Sequence, residues 1–139
     1  MKTVISVTTD RQPGGIATAL TGYSRALNIA GYQHMVILPE GASALAALAN
    51  EPNTEIKSFP LGWLKFHILT RFIFCPSIRA RLSDARAILV HNARLVTSLS
   101  RFTPPHFLVN HSGKLRNLGK ADNILFLSSA AQNRAKRAF

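Results

Sequence analysis

Residues 2–30 constrain this chain more than any other stretch: a β-branched run, a loop closed by Gly14-Gly15, and a helical pattern that opens at those glycines. Thr3, Val4, Ile5, Val7 and Thr8 are residue types that fit a pleated, buried strand, and the run is short enough to be one. Ile16, Leu20, Tyr23 and Leu27 recur at spacings of three and four, which sets them along one stripe of a helix. Strand, glycine turn and helix form the opening of a Rossmann-like unit. Two adjacent glycines let backbone pass close to a ligand, and the unpaired N–H groups of the first helical turn favour an anion, most naturally a phosphate. The same glycines also suit a turn that needs them for geometry alone. Neither G-x-G-x-x-G nor G-x-x-x-x-G-K-[ST] occurs, so the dinucleotide fingerprint and the P-loop are absent.

The pattern then repeats. Gly31 suits the left-handed position past a helix end, and His34 to Leu38 reads as a second strand closed by Pro39. Ser43 to Asn50 is expected to be a short helix capped by Ser43. Thr54 to Phe59 follows as a third strand, half-exposed because Glu55 and Lys57 interrupt it. Ala87 to His91, His106 to Asn110 and Asn123 to Leu127 read as further strands, with a short helix over Ala93 to Phe102 and a last one capped by Ser128 or Ser129. Alternating β and α units predict an α/β fold: a Rossmann-like parallel sheet with helices on both faces, in one domain spanning residues 1–139.

Residues 61–82 break the rhythm with Trp63, Phe66, Phe72 and Phe74 set among Lys65, His67, Arg71, Arg79 and Arg81. A membrane span needs about 20 apolar residues in a row, and Lys65 and Arg71 interrupt the run before Pro76 ends it. The segment is expected to cover the sheet as a crossover helix. Trp63, Lys65 and Arg71 are its candidates for contact with an anionic membrane surface.

Charge divides the chain in two. Lys2, Arg11, Arg25 and Lys57 balance Asp10, Glu40, Glu51 and Glu55, so the whole formal charge of +11 belongs to residues 61–139, where Asp84 and Asp122 are the remaining acids. Such a surplus points to anionic partners: phosphates, lipid headgroups or nucleic acid. A hydrophobic share of 47% argues for a packed core and against disorder. Cys75 has no second cysteine to pair with and no leader pattern opens the chain, so the expected location is cytoplasmic, with peripheral attachment at the inner membrane face.

Ligands of open parallel sheets bind outside the carboxyl ends of the strands. Four groups fall there: Gly14-Gly15, His91-Asn92, His111-Ser112-Gly113-Lys114 and Ser128-Ser129. The histidines at 34, 67, 91, 106 and 111 lack the paired spacing of a zinc site. No G-x-S-x-G occurs and acids are scarce, which disfavours a Ser-His-Asp hydrolase. His111, followed by Gly113 and Lys114, opens a compact cationic turn with accessible backbone.

The order of strand, Pro13-Gly14-Gly15-Ile16-Ala17, helix, then Ala30-Gly31-Tyr32-Gln33-His34-Met35-Val36 resembles the amino-terminal domain of family 4 retaining glycosyltransferases, which have the GT-B fold. Ala87 to Asn92 looks like that family's strand ending in histidine, Leu108-Val109-Asn110-His111 like the next strand, and Ala121 to Ser128 like a segment near the domain's end. The resemblance covers nearly the whole chain through short motifs. It implies one half of a GT-B enzyme that moves a sugar from a nucleotide-sugar donor to a saccharide or lipid-linked acceptor. Gly14 and Gly15 would approach the donor diphosphate and His111 the transferred sugar, while His91, Asn92, Lys114 and Arg116 would lie on the acceptor or anion side. No metal and no separate cofactor is implied, since backbone N–H groups and cations stabilise the departing diphosphate. The family's nucleotide-binding carboxyl-terminal domain carries paired glutamates, and this sequence has no Glu after Glu55. The expectation is therefore half an enzyme, with little or no transfer activity by itself and an uncovered face that favours self-association.

Two other functions fit parts of the sequence. A non-catalytic basic module that binds anions or nucleic acid accounts for the charge, although the aromatics sit in apolar runs rather than as a stacking platform. A different nucleotide-using Rossmann enzyme would take Glu40 as its ribose ligand but lacks the glycine fingerprint.

Overall fold

The structure, a computed structural model, describes residues 2–61, 75–110 and 123–126, together with Asn133 and Lys136. Six strands, β1 (Thr3–Val7), β2 (Gln33–Pro39), β3 (Thr54–Phe59), β4 (Ala87–Val90), β5 (His106–Asn110) and β6 (Ile124–Phe126), form one sheet in the order β3-β2-β1-β4-β5-β6. Every neighbouring pair is parallel, so all six carboxyl ends share one rim. The chain builds outward from β1 to β3, then returns to β4 on the other side of β1. Strand order thus reverses between β1 and β4.

The period of two along each strand supplies both faces with apolar groups, as a sheet covered on both sides requires. Ile5, Val7, Met35, Ile37, Ile88 and Val90 pack on one face against Ile78 and Leu82 of α3 (Pro76–Asp84) and Leu95, Val96 and Leu99 of the β4–β5 connection. On the other face, Val36 and Leu38 meet Leu20 of α1 (Gly15–Ile29) and Leu48 of α2 (Leu45–Ala49). Val4, Leu89 and Val109 meet Tyr23 and Leu27 of α1. The predicted stripe Ile16, Leu20, Tyr23 and Leu27 is therefore the face α1 turns to the sheet. The fold is α/β and Rossmann-like, with helices on both faces of a parallel sheet.

Ser24 on α1 and Ser6 on β1 clamp the fully buried ring of His34: Ser24 Oγ lies 2.6 Å from Nδ1 and Ser6 Oγ 2.7 Å from Nε2. Burial holds the imidazole neutral by lowering its pKa to about 4. With both ring nitrogens bonded, the triad fixes the rotation of α1 over β1 and β2, and with it the glycine turn at the start of α1.

Two local expectations are corrected. Ser43 does not cap α2: the helix begins at Leu45 without a side-chain cap, and the Ser43 N–H donates to Arg11 O at 2.9 Å. Pro76 begins α3, at a position whose N–H would have no intrahelical acceptor. The stretch Ala93 to Phe102 is a 3-10 turn, Ala93–Leu95, running into a single α-turn, α4 (Val96–Leu99), and stops there. The aromatic-basic residues Trp63, Lys65 and Arg71 lie outside the described residues. Among the described residues, no helix is long and apolar enough to cross a membrane.

Candidate functional site

The rim where β1 and β4 end is the place where strand order reverses, and adjacent loops leave the sheet there in opposite directions. The ladder extends one residue beyond each strand: the Thr8 N–H donates to Ile37 O at 3.0 Å, and the His91 N–H to Val7 O at 3.1 Å. Above these bonds the two loops are joined by a side chain. Asn92 Oδ1 accepts from Thr8 Oγ1 at 2.7 Å and from the Thr9 N–H at 2.9 Å, and the Asp10 N–H donates to Thr8 Oγ1 at 3.0 Å. The Ser43 bond to Arg11 O ties the β2–α2 loop into the same crest.

The β1–α1 loop that begins at this bracket ends at Gly14, whose φ of 145° and ψ of −153° are closed to residues with a Cβ. Gly14 O accepts the Thr18 N–H at 3.0 Å and starts the helix, and neither a side-chain cap nor an acidic residue occupies the first turn. Among the described residues, a Cβ built on Gly14 or Gly15 would meet nothing within 4 Å. The space over the turn is open, and the backbone N–H groups of a 15-residue helix border it. From Gly14 a groove of about 480 Å³ runs between α1 and α2 past Ala17, Thr21 and Ala47 to Arg25. Arg25 is held there by Glu51 at 2.9 Å.

His91 is buried at 3% exposure, its ring 5.8 Å from that of Tyr23 on α1. Burial also raises the pKa of the Tyr23 phenol. The structure therefore brings Gly14, Gly15 and Asn92 to one rim, with His91 beneath it. Asn110 ends β5 on that rim, while His111, Lys114, Arg116, Ser128 and Ser129 lie outside the described residues. Among the described residues, no group of three or more His, Cys, Asp or Glu side chains is placed to hold a metal.

Thr8 and Thr9 are the site residues that motif reading passes over. They are 84 and 83 residues from Asn92, so no local spacing links them. The signal that finds them is topological: in a sheet that starts at its centre, the residues after β1 face those after β4.

Comparison with protein families, curated proteins and solved structures returned no match to this chain.

Proposed function

We propose that this chain is the acceptor-side, amino-terminal half of a glycosyltransferase of GT-B architecture, which moves a sugar from a nucleotide-sugar donor to a saccharide or lipid-linked acceptor. The observation that carries the reading is the meeting of an open, uncapped glycine turn and a polar bracket on the rim where β1 and β4 end. The sequence resemblance assigns the turn to a diphosphate, and its geometry suits one. N–H groups of the first turn of α1 and the positive end of the helix dipole face a space in which a Cβ on Gly14 or Gly15 would meet no described atom within 4 Å.

In this mechanism the chain supplies one wall of a cleft, and a second Rossmann-like unit supplies the other. As the sugar leaves, negative charge builds on the diphosphate. Fixed N–H groups at Gly15 and the residues after it stabilise that charge without having to reorganise. The acceptor approaches across the crest formed by the loops after β1, β2 and β4. Attachment at an anionic membrane through the segment that holds Trp63, Lys65 and Arg71 belongs to the same proposal.

The experiment is a titration of the isotope-labelled chain with uridine, guanosine and adenosine diphosphates, followed by NMR. Saturable shifts of the Gly14–Ala17 amides by at least one of them are expected. A Gly15→Val variant should fold, since a Cβ there meets open space, and should lose the response because its side chain fills the approach. Absence of any shift at the turn, or binding of unrelated oligonucleotides in preference to every diphosphate, would reject sugar transfer; the second result would favour the basic binding module.

A further inference from the structure

Asn92 stands at the N-cap of the 3-10 turn, the place where an asparagine side chain ordinarily caps its own helix, and it makes no such bond. Its carboxamide reaches across to the β1–α1 loop instead, and chemistry settles which way it faces. The Thr9 N–H can only donate, so the Asn92 atom 2.9 Å from it is the carbonyl oxygen. Thr8 Oγ1 receives the Asp10 N–H and passes its own proton to the same oxygen. Both lone pairs of Oδ1 are then used. Turning the amide over would set N–H against N–H. Nδ2 is left with two protons and no protein partner among the described residues, on a side chain only partly open to solvent.

We infer that Asn92 reads a neutral sugar ring, giving its Nδ2 hydrogen bonds to ring hydroxyl oxygens, with Thr8 and Thr9 as the positioning residues that hold the amide. The inference rests on the proposed sugar-transfer reading and adds which atoms recognise the sugar. The choice of a hydroxyl over a phosphoryl oxygen follows from charge. The donor is an uncharged amide, and Asp10, whose N–H shares the Thr8 hydroxyl with it, makes no ion pair among the described residues. Arg11, the next residue, is exposed to solvent and makes none among the described residues either. A phosphate gains no Coulombic attraction from the uncharged amide, and the adjacent Asp10 and Arg11 carry opposite charges that largely cancel. A sugar hydroxyl oxygen accepts from a neutral N–H donor without needing a charge beside it, so it suits the two free Nδ2 protons.

The test is NMR titration of the whole chain with glucose, galactose, mannose and N-acetylglucosamine, and separately with inorganic pyrophosphate. At least one sugar should shift the Asn92 side-chain NH2 and the Thr9 amide saturably, and pyrophosphate should shift Gly14–Ala17 while leaving the Asn92 NH2 in place. Asn92→Asp keeps an oxygen for both bonds and removes the donor. It should melt where the parent does and bind the sugar at least tenfold more weakly. Thr8→Val should weaken binding and Thr8→Ser should restore it, a pattern that follows the hydroxyl and not the packing. The inference is overturned if no sugar moves the Asn92 NH2, if pyrophosphate moves it, or if Asn92→Asp or Thr8→Val binds sugar like the parent. A response at the glycine turn without one at Asn92 removes this inference and leaves sugar transfer standing; the reverse removes donor binding at the turn and leaves the bracket.

Discussion

Gly14 and Gly15 are neighbours with different physical duties. Gly14 sits at a positive φ that a side chain strains against, so Gly14→Ala should destabilise the chain by about 1–3 kcal/mol in urea melts. Gly15 is already helical and a Cβ there meets open space, so Gly15→Ala should be neutral or stabilising by up to about 1 kcal/mol. Equal losses at both sites would mean that the turn is packed rather than open. His34 makes a second prediction at this scale. Its pKa is about 4 in the folded state and 6.5 as an ordinary histidine, so between those values the unfolded chain takes up a proton that the folded chain refuses. Stability should therefore fall as pH drops from about 6.5 toward 4, by ~3 kcal/mol in all, and hold steady above that window. The part of that slope due to His34 should vanish in His34→Gln; an unchanged slope in that variant would assign the titration to other groups.

At the scale of elements, α3 shows which forces hold a helix to this sheet. Arg81 makes a two-pronged bond to Glu55 on the edge strand β3, at 3.0 and 3.1 Å, and that hydrogen-bonded guanidinium lowers the Glu55 pKa. Both partners are partly solvated, so Glu55→Gln should cost no more than about 1 kcal/mol. Leu82, on the same helix and fully buried, should cost about 2–5 kcal/mol as Leu82→Ala, because its removal leaves a cavity between α3 and the sheet. If urea melts rank the two the other way, the ion pair and not packing anchors α3. The same contrast explains what could be read beforehand. The strands and α1 declare themselves because burial imposes a period, and even the exposure of β3 is written in Glu55 and Lys57. Ser43 misleads because its residue type suits a cap, whereas its backbone is engaged by the neighbouring loop. The Thr8–Asn92 bracket carries no period at all; it exists only because β4 returns to the side of β1.

At the scale of the whole molecule, charge and candidate site are largely segregated along the chain. The glycine turn, Thr8, Thr9 and Asp10 belong to a part with no net charge, while the +11 falls after residue 60. The proposed adsorption through that second part would act over distance, and screening would shorten its reach from about 10 Å in 0.1 M salt to about 3 Å in 1 M. A diphosphate held at the turn by short N–H contacts is screened much less. Co-sedimentation with vesicles of phosphatidylcholine containing phosphatidylglycerol should therefore be strong at low salt, absent at high salt, and absent at either with phosphatidylcholine alone. Over the same range, diphosphate affinity at Gly14–Ala17 should change by several-fold less. Two curves that fall together would mean that both ligands compete for one basic surface, and the crest above β1 and β4 would then have no ligand of its own. Curves that separate would give the molecule two independent faces, one reading charge and the other reading shape.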